Sequence, residues 1–161
     1  MHFRRLAVLT LVLTAPIALP AQQGPTPAAA PSKTLVNVDR HGVALAGYDP
    51  VAFFTDSAAV RGDSTHRATW GGATYWFASD AHRVLFLAEP TKYVPQFGGY
   101  CAYGASRGYA AKVEIDTWQV IDGRLTLNYD RGVQQTFNQD VAGYLQKANA
   151  NWPGIVAREG H

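Results

Sequence analysis

The chain has 161 residues, the length of one domain, and its 47% apolar and 16% charged residues exclude an intrinsically disordered protein. The formal net charge of +2 comes from Arg4 and Arg5, and acidic and basic residues balance in the rest of the chain. We therefore expect no nucleic-acid partner, because such proteins rely on a basic surface. A single cysteine excludes an internal disulfide bond and a zinc site built from several thiolates of one chain.

The N-terminal residues are typical of an export signal. Arg4 and Arg5 precede an uncharged apolar stretch at 6–19, which is shorter than the roughly 20 residues that a membrane-spanning helix needs. Small residues follow and predict cleavage near position 21. We expect a signal peptide at 1–21 and no stable membrane span after cleavage, with an uncleaved anchor as the alternative. The protein is therefore expected to be periplasmic or secreted.

Residues 22–33 are rich in proline and alanine and predict a linker, so the folded domain is expected at 34–157. The domain begins with a β-like run at 34–38. Alternating segments then predict two β-hairpins: 65–70 with 73–77, and 118–121 with 124–128. Gly71-Gly72 separates the first pair. Asp122-Gly123 separates the second pair and predicts a type I′ turn, in which glycine supplies the positive φ.

Capping residues indicate where helices begin. Asp49 followed by Pro50 is typical of a helix start. Ser79 or Asp80 is expected to cap a helix that ends before Pro90 and has apolar positions with a 3.6-residue period at 81, 84, 85 and 88. Further caps at 130 and 140 predict one broken helix or two helices to about 150, and the Trp-Pro pair at 152–153 is expected to close the domain.

These elements predict an α+β fold, because strands and short helices mix without a regular βαβ alternation. We expect short β-hairpins packed by short helices, and a helical segment at the C-terminal end.

The segment at 93–107 contains the only cysteine, Cys101, beside a Gly98-Gly99 pair that permits a close backbone approach to a ligand. A functional Cys101 would be a metal ligand, a reactive thiol or a partner in an intermolecular disulfide. The alternative is a buried cysteine that packs as a small apolar residue. We predict a ligand-binding site that consists of Tyr48, Asp49, Tyr100, Cys101 and Tyr103.

Three histidines remain once the leader and the last residue are set aside: His41, His66 and His82. No two of them have the spacing of a local metal site. A thiolate with one or two imidazoles would suit a copper or zinc ion. The sequence has no GxSxG, HExxH or P-loop motif, so a protein without turnover is favoured over an enzyme.

Five segments resemble the exported YHS-domain proteins of bacteria: GYDPVAFF at 47–54, TYWFAS at 74–79, FLAEPTKYVPQFGGYCAYG at 86–104, WQVIDGRLTLNY at 118–129 and ANANWP at 148–153. The resemblance implies a small α+β module, which in relatives is often attached to metal-transport ATPases and is taken to bind metal through cysteines. The matching positions here are Ala52, Ala78 and His82, so His82 is the one member of that set that can bind a metal. Cys101 lies in a stretch typical of the exported branch.

We therefore expect a non-enzymatic exported binding module that holds a small ligand or a soft metal ion near Cys101. Cys101 and His82 are the predicted metal ligands, with copper or zinc as the candidate ions. The alternatives are a thiol redox protein or sensor, in which Cys101 works with a partner thiol or in a homodimer, and a purely structural or interaction module.

Overall fold

The computed structural model describes residues 33–161, so the predicted signal peptide and all of the predicted linker except Lys33 lie outside the described residues. The described part has the predicted α+β fold, with two separate two-stranded antiparallel sheets and six α-helices. None of these helices is both long and apolar enough to cross a membrane. The strands are β1 (Asp63–Trp70), β2 (Ala73–Phe77), β3 (Gln119–Ile121) and β4 (Arg124–Thr126). The helices are α1 (Ala52–Thr55), α2 (Asp80–Ala88), α3 (Pro90–Tyr93), α4 (Ala102–Ser106), α5 (Arg131–Phe137) and α6 (Val141–Glu159).

Both predicted hairpins are confirmed. Asp122 and Gly123 have positive φ angles of 49° and 72°, as a type I′ turn between β3 and β4 requires. In the other hairpin, β2 alternates as predicted, and Ala73, Tyr75 and Phe77 are buried on one face. Its partner β1 is mostly exposed and has an irregular register between Asp63 and Arg67.

The buried side chains form two core clusters. The first core cluster lies between residues 44–53, the β1–β2 hairpin, α2 and β4. It comprises Ala44, Leu45, Val51, Phe53, Ala73, Tyr75, Phe77, Phe86, Tyr93, Leu125 and Leu127. The second core cluster packs α4, α5 and α6 together and comprises Leu35, Phe97, Ala102, Ala105, Phe137, Ala148 and Ile155. The backbone joins them, because Ala102 N donates to Leu127 O at 2.9 Å.

The apolar period of α2 does not mark its buried face. The helix is capped by Ser79, whose Oγ accepts from His82 N, and its one fully buried residue is Phe86. Val84 and Leu85 are exposed, at 54% and 43% of their surface. The inward face is set by His82 and Phe86, one turn apart, because the polar His82 has a buried hydrogen-bond partner described below.

The C-terminal helix continues past the expected end of the domain. The helix α6 includes Pro153 and reaches Glu159. Proline removes one helical hydrogen bond. Burial of Ile155 and partial burial of Val156 in the second core cluster offset that loss. The expected strand at 34–38 is an extended segment instead, with a single bridge at Val38.

Candidate ligand-binding site

A cavity of about 740 Å³ lies where the extended N-terminal segment, the end of the β1–β2 hairpin and the last turns of α6 meet. Its volume falls in the range of about 300–1,000 Å³ that is usual for small-molecule sites. The lining is predominantly apolar and includes Leu35, Trp70, Tyr75, Pro95, Trp152 and Val156. Of the described residues in this lining, only Lys33 carries a charge.

Backbone contacts hold the extended segment in place as one wall of the cavity. Thr34 and His161 exchange two backbone hydrogen bonds of 3.0 Å, and Asn37 N donates to Gly98 O at 2.8 Å. Gly98 has φ +56°, and a Cβ at this position would collide with the carbonyl oxygen of Leu35. Glycine is therefore required here both for its backbone angle and for the close approach of the wall.

Two tryptophans, Trp70 and Trp152, contribute to the lining. Trp70 ends β1 and is 43% exposed. Trp152 lies on α6, where its ring packs on Phe97 at 5.8 Å and on Tyr100 at 6.3 Å between centroids. The preceding Asn151 donates from its side-chain amide to two carbonyl oxygens of α4, which fixes this turn of α6. The position of Trp152 is thus fixed by the rings of Phe97 and Tyr100 and by the hydrogen bonds of the neighbouring Asn151.

Tyr75 brings a hydroxyl group to this apolar lining. The side chain is 2% exposed, and its ring packs on Phe86 with 5.1 Å between centroids. The hydroxyl makes no hydrogen bond within residues 33–161, yet it is not among their fully enclosed polar atoms without a partner, so water can reach it from the cavity. Burial of the side chain raises the pKa of Tyr75 to about 12. The phenol is therefore a protonated donor at neutral pH.

Asp49 and His82, both predicted site residues, form a second polar cluster. Asp49 is fully buried, and its Oδ2 lies 2.7 Å from His82 Nδ1 and accepts from Ala78 N at 2.8 Å. Its Oδ1 accepts from the backbone N–H groups at the start of α1. His82 Nε2 faces the exposed Asp56 carboxylate at 3.9 Å. The sequence thus identified Asp49 as a helix cap, but not its contact with His82.

Cys101 is buried, with 1% of its surface exposed. Its Sγ accepts from Gly104 N at 3.3 Å and lies 3.7 Å from Asn128 Oδ1. Burial raises the pKa of the thiol, which opposes formation of the reactive thiolate. Cys101 lines neither the large cavity nor a smaller one of about 200 Å³ near Asn37.

The predicted ligand-binding residues are divided between separate surroundings. Tyr48 lies against Arg61, whose guanidinium carbon is 4.3 Å from the ring centroid. Tyr100 packs toward Trp152, and Tyr103 packs on Tyr144 at 5.1 Å. The hydrogen-bond and ion-pair partners of Cys101 are different residues from those of His82. The geometry therefore gives no support to a ligand site centred on Cys101.

The donors that a metal site needs are not grouped together among residues 33–161. In the part of the chain that the structure describes, no three His, Cys, Asp or Glu side chains form a group that could hold a metal ion. The three positions that the YHS resemblance assigns to metal-binding cysteines do meet around one carboxylate, because Ala52 N, Ala78 N and His82 Nδ1 all contact Asp49. Two of these residues are alanines, so the set does not fit a zinc or copper ion.

Sequence reasoning did not find the cavity. The sequence predicts Trp70 and Tyr75 only as hairpin residues, and Trp152 only as part of the Trp-Pro pair that closes the domain. The cavity joins residues 33–36 to residues 152–157, and no local pattern in the sequence indicates that long-range contact. Comparisons of this chain with protein-family models, curated proteins and solved structures found no match.

Proposed function

We propose that this chain is an exported binding module of the YHS type, without turnover of its own, that holds a small apolar ligand. The observation that carries the proposal is the cavity of about 740 Å³ with its tryptophans. The site therefore lies beside Tyr100 and Trp152 rather than at Cys101.

The character of the lining supports this function. Ligand sites are mostly apolar concave surfaces with a few polar groups that orient the ligand. Here the polar group is the Tyr75 hydroxyl, and the apolar walls come from four separate parts of the chain. The cavity is open to solvent, so its apolar lining is exposed to water. A ligand that covers this surface gains hydrophobic free energy.

The resemblance to YHS-domain proteins is supported by the cluster around Asp49. Residues 52, 78 and 82 are separated in the sequence, yet all three reach the same carboxylate. That is the arrangement expected if the fold is the one whose cysteines bind metal in relatives. In this chain Asp49 and His82 stabilise the junction of α1, β2 and α2, and the binding function is proposed for the cavity instead.

The thiol alternative has weaker support. A redox thiol acts as an accessible thiolate. Cys101 is buried, and its sulfur is occupied by Gly104 N–H and Asn128. We therefore assign Cys101 a packing role.

The proposal is tested by titration with N-phenylnaphthylamine, an uncharged probe whose fluorescence increases in apolar surroundings. Ala157 and Ala150 are both exposed positions of α6, but only Ala157 lines the cavity. Ala157→Trp should fill the entrance and weaken probe binding about tenfold or more, because an ordered ligand cannot share that volume. Ala150→Trp is the matched control and should bind as the wild type does. Equal affinities for all three proteins would overturn the proposed site.

Export is tested separately. Expression of the full chain with a C-terminal tag, followed by mass measurement of the tagged product, should give a species cleaved near position 21. A cytoplasmic, uncleaved product would contradict the export part of the proposal and leave the binding part standing.

A further inference from the structure

We propose that the ligand is an uncharged apolar ring compound with a carbonyl oxygen, and that this oxygen accepts a hydrogen bond from the Tyr75 hydroxyl. The inference rests on the proposed function and names the class of ligand for the same cavity. The observation behind it is a hydroxyl at the cavity wall with no partner within the described residues.

The hydroxyl calls for an acceptor. Water that enters the cavity can satisfy this hydroxyl, but an apolar ligand would displace that water and leave the hydroxyl without a hydrogen bond, which costs free energy. Tyr75 lies on β2 and is almost fully buried, and its ring packs on Phe86 of α2. A phenol is a better donor than acceptor, because its oxygen lone pair is delocalised into the ring. A carbonyl oxygen is the simplest acceptor that an apolar molecule can carry.

The charges around the cavity favour a neutral ligand. Lys33 is the one charged residue in the described lining, and it lies at the exposed edge, where its Nζ donates to Ala157 O at 3.1 Å. An ionised group placed beside Tyr75 would therefore have no opposite charge to pair with. Burying an unpaired charge is far more costly than burying a carbonyl group.

The shapes of the lining residues favour rings over a flexible chain. The lining includes the aromatic rings of Trp70 and Trp152 and the rigid rings of Pro95 and Pro153. Aromatic surfaces interact well with other rings, and a rigid ligand loses less conformational freedom on binding than an acyl chain does.

The test uses two probes of similar shape, acetylnaphthalene and isopropylnaphthalene, in which a carbonyl oxygen replaces a methyl group. Each competes with N-phenylnaphthylamine for the wild-type chain and for Tyr75→Phe. Because the two probes differ in their own hydration, the informative quantity is the ratio of their Kd values. We expect this ratio to shift about fivefold against the ketone in Tyr75→Phe, the size of one hydrogen bond.

Tyr75→Phe keeps the buried ring and removes only the hydroxyl group, so a general change in the cavity acts on both naphthalenes alike and cancels in their ratio. A ratio shifted against the ketone supports the inference. An unchanged ratio, with both naphthalenes still bound by Tyr75→Phe, overturns the inference and leaves the proposed function in place. Failure of the wild type to bind any of the three probes overturns the proposed function and the inference together.

Discussion

Asp49 illustrates how one buried side chain can organise three elements. Its carboxylate contacts Val51 N, Ala78 N and His82 Nδ1 within 2.8 Å, and therefore ties the start of α1 to the end of β2 and the first turn of α2. Removing one partner of such a buried network leaves the others unsatisfied, which is more costly than losing a surface contact.

We expect Asp49→Ala to lower the free energy of unfolding by about 3 kcal/mol or more. Urea titration followed by far-ultraviolet circular dichroism measures this value. The matched control is Asp80→Ala, which breaks the exposed pair with Arg83 and should cost less than about 1 kcal/mol. Similar losses for the two variants would show that the Asp49 network is not a stability determinant.

The packing role that we propose for Cys101 can be checked directly. Because the thiol is buried and its pKa is raised, a thiol reagent should label it slowly in the native state and rapidly in urea. Cys101→Ser should leave the affinity for N-phenylnaphthylamine unchanged. Rapid native labelling, or loss of probe binding comparable to that of Ala157→Trp, would restore Cys101 as a functional residue.

At the scale of elements, the local parts of the sequence predicted the structure well. A type I′ turn requires positive φ angles at two successive residues, which Asp122 and Gly123 adopt and few other residue pairs do. This turn is therefore encoded in two adjacent residues. The cap at Ser79 is equally local. The buried face of α2 is not, because it depends on Asp49, more than thirty residues away in the sequence. The cavity also depends on residues far apart in the sequence, because one wall is held by the backbone hydrogen bonds between Thr34 and His161. The sequence therefore did not predict it.

The contact between the extended segment and Gly98 should be essential for the cavity. Gly98 and Gly71 both line it and have similar φ angles of +56° and +58°, but a Cβ would strike Leu35 O only at Gly98. Gly71→Ala therefore controls for backbone strain, which costs about 1 kcal/mol. We expect Gly98→Ala to lose clearly more stability and to weaken binding of N-phenylnaphthylamine, since the wall must move.

Thermal unfolding and probe titration of the two variants provide the comparison. Equal behaviour of Gly98→Ala and Gly71→Ala would mean that the extended segment adjusts without cost and that the wall is not fixed by this contact.

At the scale of the whole molecule, backbone hydrogen bonds such as that from Ala102 N to Leu127 O join the two core clusters, so we expect global stability to report on buried groups in either cluster. Tyr75 belongs to the first core cluster, and burial raises its pKa to about 12 from the ordinary value of 10.0. Between these pH values the unfolded chain has released this proton and the folded chain retains it. The unfolded state then binds fewer protons, so stability falls as pH rises.

We expect this group to make the wild type lose about 1 kcal/mol per pH unit between pH 10 and pH 12 relative to Tyr75→Phe. Urea unfolding at several pH values measures the difference. Tyr129→Phe is the control, because Tyr129 is 53% exposed and meets water in both states. Its curve should run parallel to that of the wild type. Parallel curves for Tyr75→Phe as well would contradict the burial of this phenol.

The placement of the four tryptophans allows ligand binding to be followed by intrinsic fluorescence. Trp70 and Trp152 line the cavity, whereas Trp76 covers Gly47 and Trp118 packs on Phe53. Replacing the latter two with phenylalanine would leave intrinsic emission that comes only from the cavity. Unknown compounds could then be screened without any label, by the colour and intensity of that emission.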